Sequence, residues 1–243
     1  MPRIANSIRY IALGDSVSIS LYPDLDASTR LGRRITGLGA PELVVHNDDT
    51  IWPAFTAQDL GHLFADVLFE NVAVDGGTIE DVQGPQLRRL AKFDADLVTL
   101  TVGGNDLLGI LGRHTSRAGI GAAVQNLQHR YRECIARVRQ AAPRALLIVG
   151  TVYDPSDGTG QLPGWPPLPI DLLNPLNDTI REIVSNAEAT ALSDIHALFM
   201  GHGITAPVAE RYYWSESIIE PSMLGASEIR RDWVTTIQSH FAV

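Results

Sequence analysis

The sequence predicts an α/β fold, a parallel β-sheet with helices packed on its faces. Apolar runs of strand length alternate along the chain with stretches whose apolar residues recur at helical spacing. Two of the runs, 97–102 and 146–151, are apolar almost throughout, as strands buried on both faces are. The 243 residues are 45% hydrophobic and 19% charged, ample for a core. No repeat, coiled-coil heptad or low-complexity linker interrupts them, so residues 1–243 are expected to form a single domain.

In chain order, the first strand spans 8–13 and runs into Gly14-Asp15-Ser16. Residues 17–53 show no sustained period and are expected to be mostly irregular. The second strand, 66–74, exits through Asp75-Gly76-Gly77, and the third, 97–102, through Gly103-Gly104-Asn105-Asp106. The clearest helix spans 122–142: Val124, Leu127, Tyr131, Ile135 and Val138 follow one another at steps of three and four, and Pro143 stops it. A fourth strand at 146–151 leads into the Pro/Gly loop 153–169, which carries Trp165 and suits either a wall of a site or a plain surface insertion. A helix at 172–189, a weaker strand at 191–195 and a helix at 227–241 complete the pattern.

Charge and composition exclude some functions. The formal net charge is −9 and Lys92 is the only lysine, a poor match to nucleic acid or an anionic membrane surface. No stretch approaches the roughly 18 apolar residues of a membrane span. Residues 1–6 do not read as a secretory signal, so a cytoplasmic location is the default expectation. The single cysteine, Cys134, falls within a helical pattern and is expected to be a buried small residue rather than a reactive one.

The strand ends suggest where chemistry lies. Ligands of open parallel sheets bind beyond the carboxyl ends of the strands. Ser16, Gly76 and Asn105 each follow a different predicted strand there; Asp154 and His196 follow the fourth and fifth. A serine supplies a nucleophile, a glycine an unobstructed N–H, and an asparagine a neutral NH₂ donor for an oxyanion. Each has a plainer explanation too: Ser16 as a turn cap, Gly76 as a turn before a helix opening at Thr78, Asn105 as a helix N-cap. Asp15 and Asp106 are expected to hold turns. No Gly-x-Gly-x-x-Gly follows a strand, and Asp194-Ile195-His196 comes too late, with too few ligands, for a two-metal site.

Taken in order, Gly14-Asp15-Ser16, Asn71-Val72-Ala73-Val74-Asp75-Gly76 and Gly103-Gly104-Asn105-Asp106 resemble the first three motif blocks of the SGNH (GDSL-type) hydrolases. The resemblance implies a three-layer α/β/α domain with a flavodoxin-like sheet, esterase or lipase-like hydrolysis of a small-molecule ester, and no cofactor or metal. It implies Ser16 as nucleophile with Gly76 and Asn105 in the oxyanion hole. The family's C-terminal Asp-x-x-His-Pro is replaced by Ser217-Ile218-Ile219-Glu220-Pro221, followed by Ser222-Met223-Leu224-Gly225, which keeps the Pro and Gly. Glu220 thus stands at the His position and Ser217 at the Asp position. Three explanations stay open. Glu220 is the base, its pKa lifted by burial or by Glu216; a histidine elsewhere (His46, His196 or His202) has taken over; or the site binds a ligand without turning it over.

Overall fold

The alternating side chains of the three inner strands divide the core in two. In the computed structural model, β1 (Ser7–Gly14) sends Ile11 and Leu13 to one face of the sheet and Ile8, Tyr10 and Ala12 to the other. β3 (Leu97–Thr101) and β4 (Leu146–Gly150) do the same: Val98, Leu100, Leu147 and Val149 share the first face, Leu97, Leu146 and Ile148 the second. The helices Arg117–Ala141 and Asn174–Ser185 cover the first face with the predicted stripe of Val124, Leu127, Tyr131, Ile135 and Val138, joined by Leu176 and Ile180. The C-terminal helix Met223–Phe241 covers the second with Ile229, Trp233 and Ile237. Helix, sheet and helix make three layers. Cys134 is fully buried, and burial pushes its thiol up to about 12.

With β2 (Asp66–Asn71) and β5 (Thr190–Ser193), the sheet has five parallel strands in the order β2-β1-β3-β4-β5. This is the flavodoxin-like order, whose direction reverses between β1 and β3. Ser16 and Asn105 leave those two strands. The structure describes residues 7–113 and 116–242; the stretch 1–6, read above for a leader, lies outside them, as do 114–115 and 243. Among the described residues no helix is long and apolar enough to cross a membrane.

Two expectations are corrected. β2 ends at Asn71 rather than 74, because the Asn71 carboxamide accepts from Ala73 N (3.1 Å) and donates to Ser18 O (2.7 Å). The backbone nonetheless stays beside β1, with Val72 N on Ala12 O and Val74 N on Gly14 O. Residues 17–53 are not mostly irregular: they hold the helices Leu21–Leu31 and Ala40–Val45. The first is patterned inside out. Leu21, Leu25 and Leu31 are exposed, while Asp26 is buried, paired with Arg30 (2.8 Å) and accepting from Met223 N (3.0 Å).

Candidate active site

The turn after β1 is fixed from three sides. Gly14 has φ +130°, and a Cβ there would lie 2.0 Å from the Thr101 carbonyl oxygen, so only glycine lets β1 and β3 close at this point. The Gln86 amide brackets it, accepting from Gly14 N (2.7 Å) and donating to Gly14 O (2.9 Å). Asp15 then donates its N–H to Thr101 O (3.0 Å), and its carboxylate accepts from Val17 N (3.1 Å) and Thr101 Oγ1 (3.0 Å). Asp15 holds the turn, as expected. Ser16 starts a short 3₁₀ turn, Ser16–Ser18, nearly buried yet lining a pocket at the carboxyl edge of the sheet.

Asn105 lies in the first turn of the helix Gly104–Arg113 and lines the same pocket. Its Nδ2 donates one hydrogen to Gly77 O (3.0 Å), which clasps the turn after β2 and leaves the other amide hydrogen for a ligand. Asp106 accepts from Ile79 N (3.0 Å) and faces Arg130 (3.5 Å), tying the same two segments. Gly76 departs from the expected convergence. It sits on the exposed outer turn at φ +68° and is not among the residues lining the pocket, although its neighbour Gly77 is the residue Asn105 holds. The helix expected from Thr78 is present, opened by a capping box between Thr78 and Asp81.

Glu220 is brought to the pocket by a hairpin that the sequence pattern did not reveal: β6 (Tyr213–Trp214) antiparallel to β7 (Ser217–Pro221), with an irregular register. Tyr153 holds the strand from behind, donating its hydroxyl to Ile219 O (2.5 Å). Glu220 is 8% exposed, and its Oε2 is buried without a hydrogen-bond partner. Burial raises its pKa to about 7; the nearby Ser16 hydroxyl opposes the rise and the negative charge of Asp75 adds to it. The two side chains sit in proximity, short of a well-formed hydrogen bond. Glu216, named above as a source of like charge, is exposed; Asp75 supplies that charge instead, held by Tyr22 Oη at 3.1 Å from both carboxylate oxygens. Asp15 is also lifted to about 7, by burial first, against the bonds from Val17 and Thr101 and together with the charge of Glu220.

None of the described histidines lines this pocket. His46 is exposed beside Asp59; His202 stacks on Tyr212 at 3.8 Å with Nδ1 near Glu210 O (3.1 Å). His196 sits on the short helix Ile195–Phe199 with its Nδ1 buried without a partner and is not among the residues lining the pocket; the fifth strand's exit reaches the pocket through Ile195 instead. Asp154 does line the pocket, but its carboxylate is spent on Ser156 N (2.9 Å), Ser156 Oγ (2.6 Å) and Gly158 N (2.8 Å). The loop 153–169 proves to be a wall: Leu162, Trp165 and Leu168 line, together with the helix Gly104–Arg113, a chamber with a cavity volume of about 130 Å³. Among the described residues no cluster of His, Cys, Asp and Glu could hold a metal ion.

A sequence profile of the GDSL-like lipase/acylhydrolase family matches residues 12–214, ending before the strand that carries Glu220. No curated relative matches the chain by sequence. Solved structures share its fold. Phospholipase A1 from Streptomyces albidoflavus NA297 is 24% identical, with a TM-score of 0.54 over 96% of this chain and 98% of its own. An extracellular lipase from Streptomyces rimosus is 19% identical (TM-score 0.57, 96% and 99% covered). The acetylxylan esterase Axe2 from Geobacillus stearothermophilus is 15% identical (TM-score 0.62, 97% and 96% covered).

Proposed function

We propose that this chain, which belongs to the GDSL-like lipase/acylhydrolase family, hydrolyses carboxylic esters through an acyl-enzyme on Ser16 with Glu220 as the general base. The observation that carries the proposal is the meeting of Ser16, Asn105 and an under-bonded, buried Glu220 around one pocket, although they come from three distant parts of the chain. Ionised Glu220 takes the proton as Ser16 Oγ attacks the ester carbonyl carbon, and the carbonyl oxygen gains negative charge. The second amide hydrogen of Asn105 meets that oxygen. Glu220 returns the proton to the departing alcohol, leaving an acyl ester on Ser16. Water then repeats the sequence, losing a proton to Glu220, and Ser16 recovers it as the acid leaves.

A free glutamate, with a pKa of about 4.3, is a weak base at neutral pH. Burial and Asp75 lift this one to about 7, close to the working range of an imidazole. The base therefore needs no histidine, and Tyr153 holds the strand that carries it. The rival function, ligand binding without turnover, draws on the lack of a formed Ser16–Glu220 hydrogen bond. Hydrolysis of nitrophenyl esters by the parent protein and by Ser16→Ala separates the two. Turnover that disappears with the hydroxyl supports the enzyme; no turnover in the parent supports the binder.

A further inference from the structure

Apolar side chains around the chamber are arranged in an unusual way. Leu108 and Leu111 of the helix Gly104–Arg113, Leu162 and Leu168 of the facing loop, and Leu173 all line it, yet none belongs to the three packed clusters that make up the core. Leu162 and Leu173 are nevertheless 6% and 8% exposed. Protein interiors normally fill such space with their own atoms. Here five leucines from three segments surround a volume that opens onto Ser16. The carboxyl groups lining it are those of Asp15, Asp154 and Glu220, and no basic residue is among the lining.

The direction of the chamber identifies which half of an ester it suits. Asn105, the donor to the carbonyl oxygen, leads straight into the helix that supplies Leu108 and Leu111. Glu220, which gives the alcohol its proton, lines the chamber where it comes near Asp75 on the exposed turn after β2, whose carboxylate Tyr22 Oη holds at 3.1 Å. The alcohol therefore leaves towards the rim, and the acyl chain points past Asn105 into the leucines. We propose that this chamber is an acyl-chain site, and that the protein's substrates are neutral esters of medium-chain aliphatic acids, in preference to acetyl esters or esters with a charged acyl group. The inference rests on the acyl-enzyme scheme for the orientation of the ester, but not for the affinity of the chamber for an aliphatic chain.

The test pairs turnover with binding. Each methylene that enters such a chamber is worth roughly three- to four-fold. From nitrophenyl acetate to hexanoate, kcat/KM should therefore rise by about 10²-fold in total. Leu108→Trp and Leu168→Trp fill the chamber from opposite walls, and each should reduce the hexanoate-to-acetate ratio at least about ten-fold. Independently, Ser16→Ala titrated with octanamide and acetamide in a calorimeter should bind the longer amide at least about 10²-fold more tightly, with a negative heat-capacity change. Ser16-dependent turnover that is flat or falls beyond acetate overturns the chain site and leaves the hydrolase standing. No turnover of any ester, with octanamide still bound tightly, overturns the hydrolase and upholds the chain site. Equal binding of the two amides overturns the chain site whatever the kinetics.

Discussion

Glu220→Gln should make the protein more stable and less active, and the stability gain should depend on pH. The native fold holds the Glu220 carboxyl at about 7, against 4.5 as its ordinary value. An acid whose folded pKa is raised binds its proton more tightly in the native state. Its relative stabilisation is complete below about pH 4.5, is lost as pH rises through 7, and changes little beyond that. Holding the carboxyl that far above its ordinary value would cost about 3 kcal/mol at full burial. Solvent reaches part of the carboxyl, which reduces the expected cost of ionising it at pH 8 to about 1–2 kcal/mol. Glutamine keeps the shape and cannot ionise, so Glu220→Gln should gain that amount at pH 8 and almost nothing at pH 4.5. In a chain of this size the gain corresponds to a Tm rise of about 2–8 °C. Thermal melts followed by circular dichroism at the two pH values read it directly. An equal change at both pH values, or a loss at pH 8, would refute the idea that the site stores the cost of a buried carboxylate for use as a base.

Asn105→Ala should lower kcat by roughly 10²–10³ with little change in KM, as measured on a nitrophenyl ester; a change confined to KM would assign the amide to ground-state binding. Asp75→Asn should move the acid limb of the pH–rate profile to lower pH, because it removes the like charge that helps raise Glu220, and the displacement should shrink with added salt; an unmoved limb at low salt would remove Asp75 from the site. Gly14→Ala should destabilise the fold by about 3 kcal/mol or more in urea unfolding, since its Cβ meets the Thr101 carbonyl at 2.0 Å; a fully stable variant would show that the β1–β3 junction has slack.

The parts of this structure that were legible in the sequence are those whose signal is local. The inner strands are apolar on both faces, and the stripe from Val124 to Val138 repeats at helical spacing, so each could be placed without a partner in view. Ser16 and Asn105 were legible because the strands they follow are adjacent and parallel. Three features had no local signal. The helix Leu21–Leu31 turns its leucines outward and anchors itself through Asp26, which inverts the hydrophobic pattern. The hairpin that carries Glu220 has one strand of two residues and a register shift, too short for alternation to show. The like charge on Glu220 comes from Asp75, 145 positions earlier in the chain, and no spacing rule links them. Gly76 was placed at the rim by its strand, but the Asn71 turn carries it outward.

Whether Glu220 activates Ser16 is read from the rate at which a fluorophosphonate phosphonylates Ser16, followed by peptide mass spectrometry across pH. An adduct should appear on the peptide containing Ser16, forming at a rate that rises with pH through about 7. Glu220→Gln should slow the labelling by roughly 10²-fold or more, a loss within the range for general-base assistance. An adduct elsewhere, none at all, or equal labelling of the parent and Glu220→Gln would contradict activation of Ser16 by Glu220.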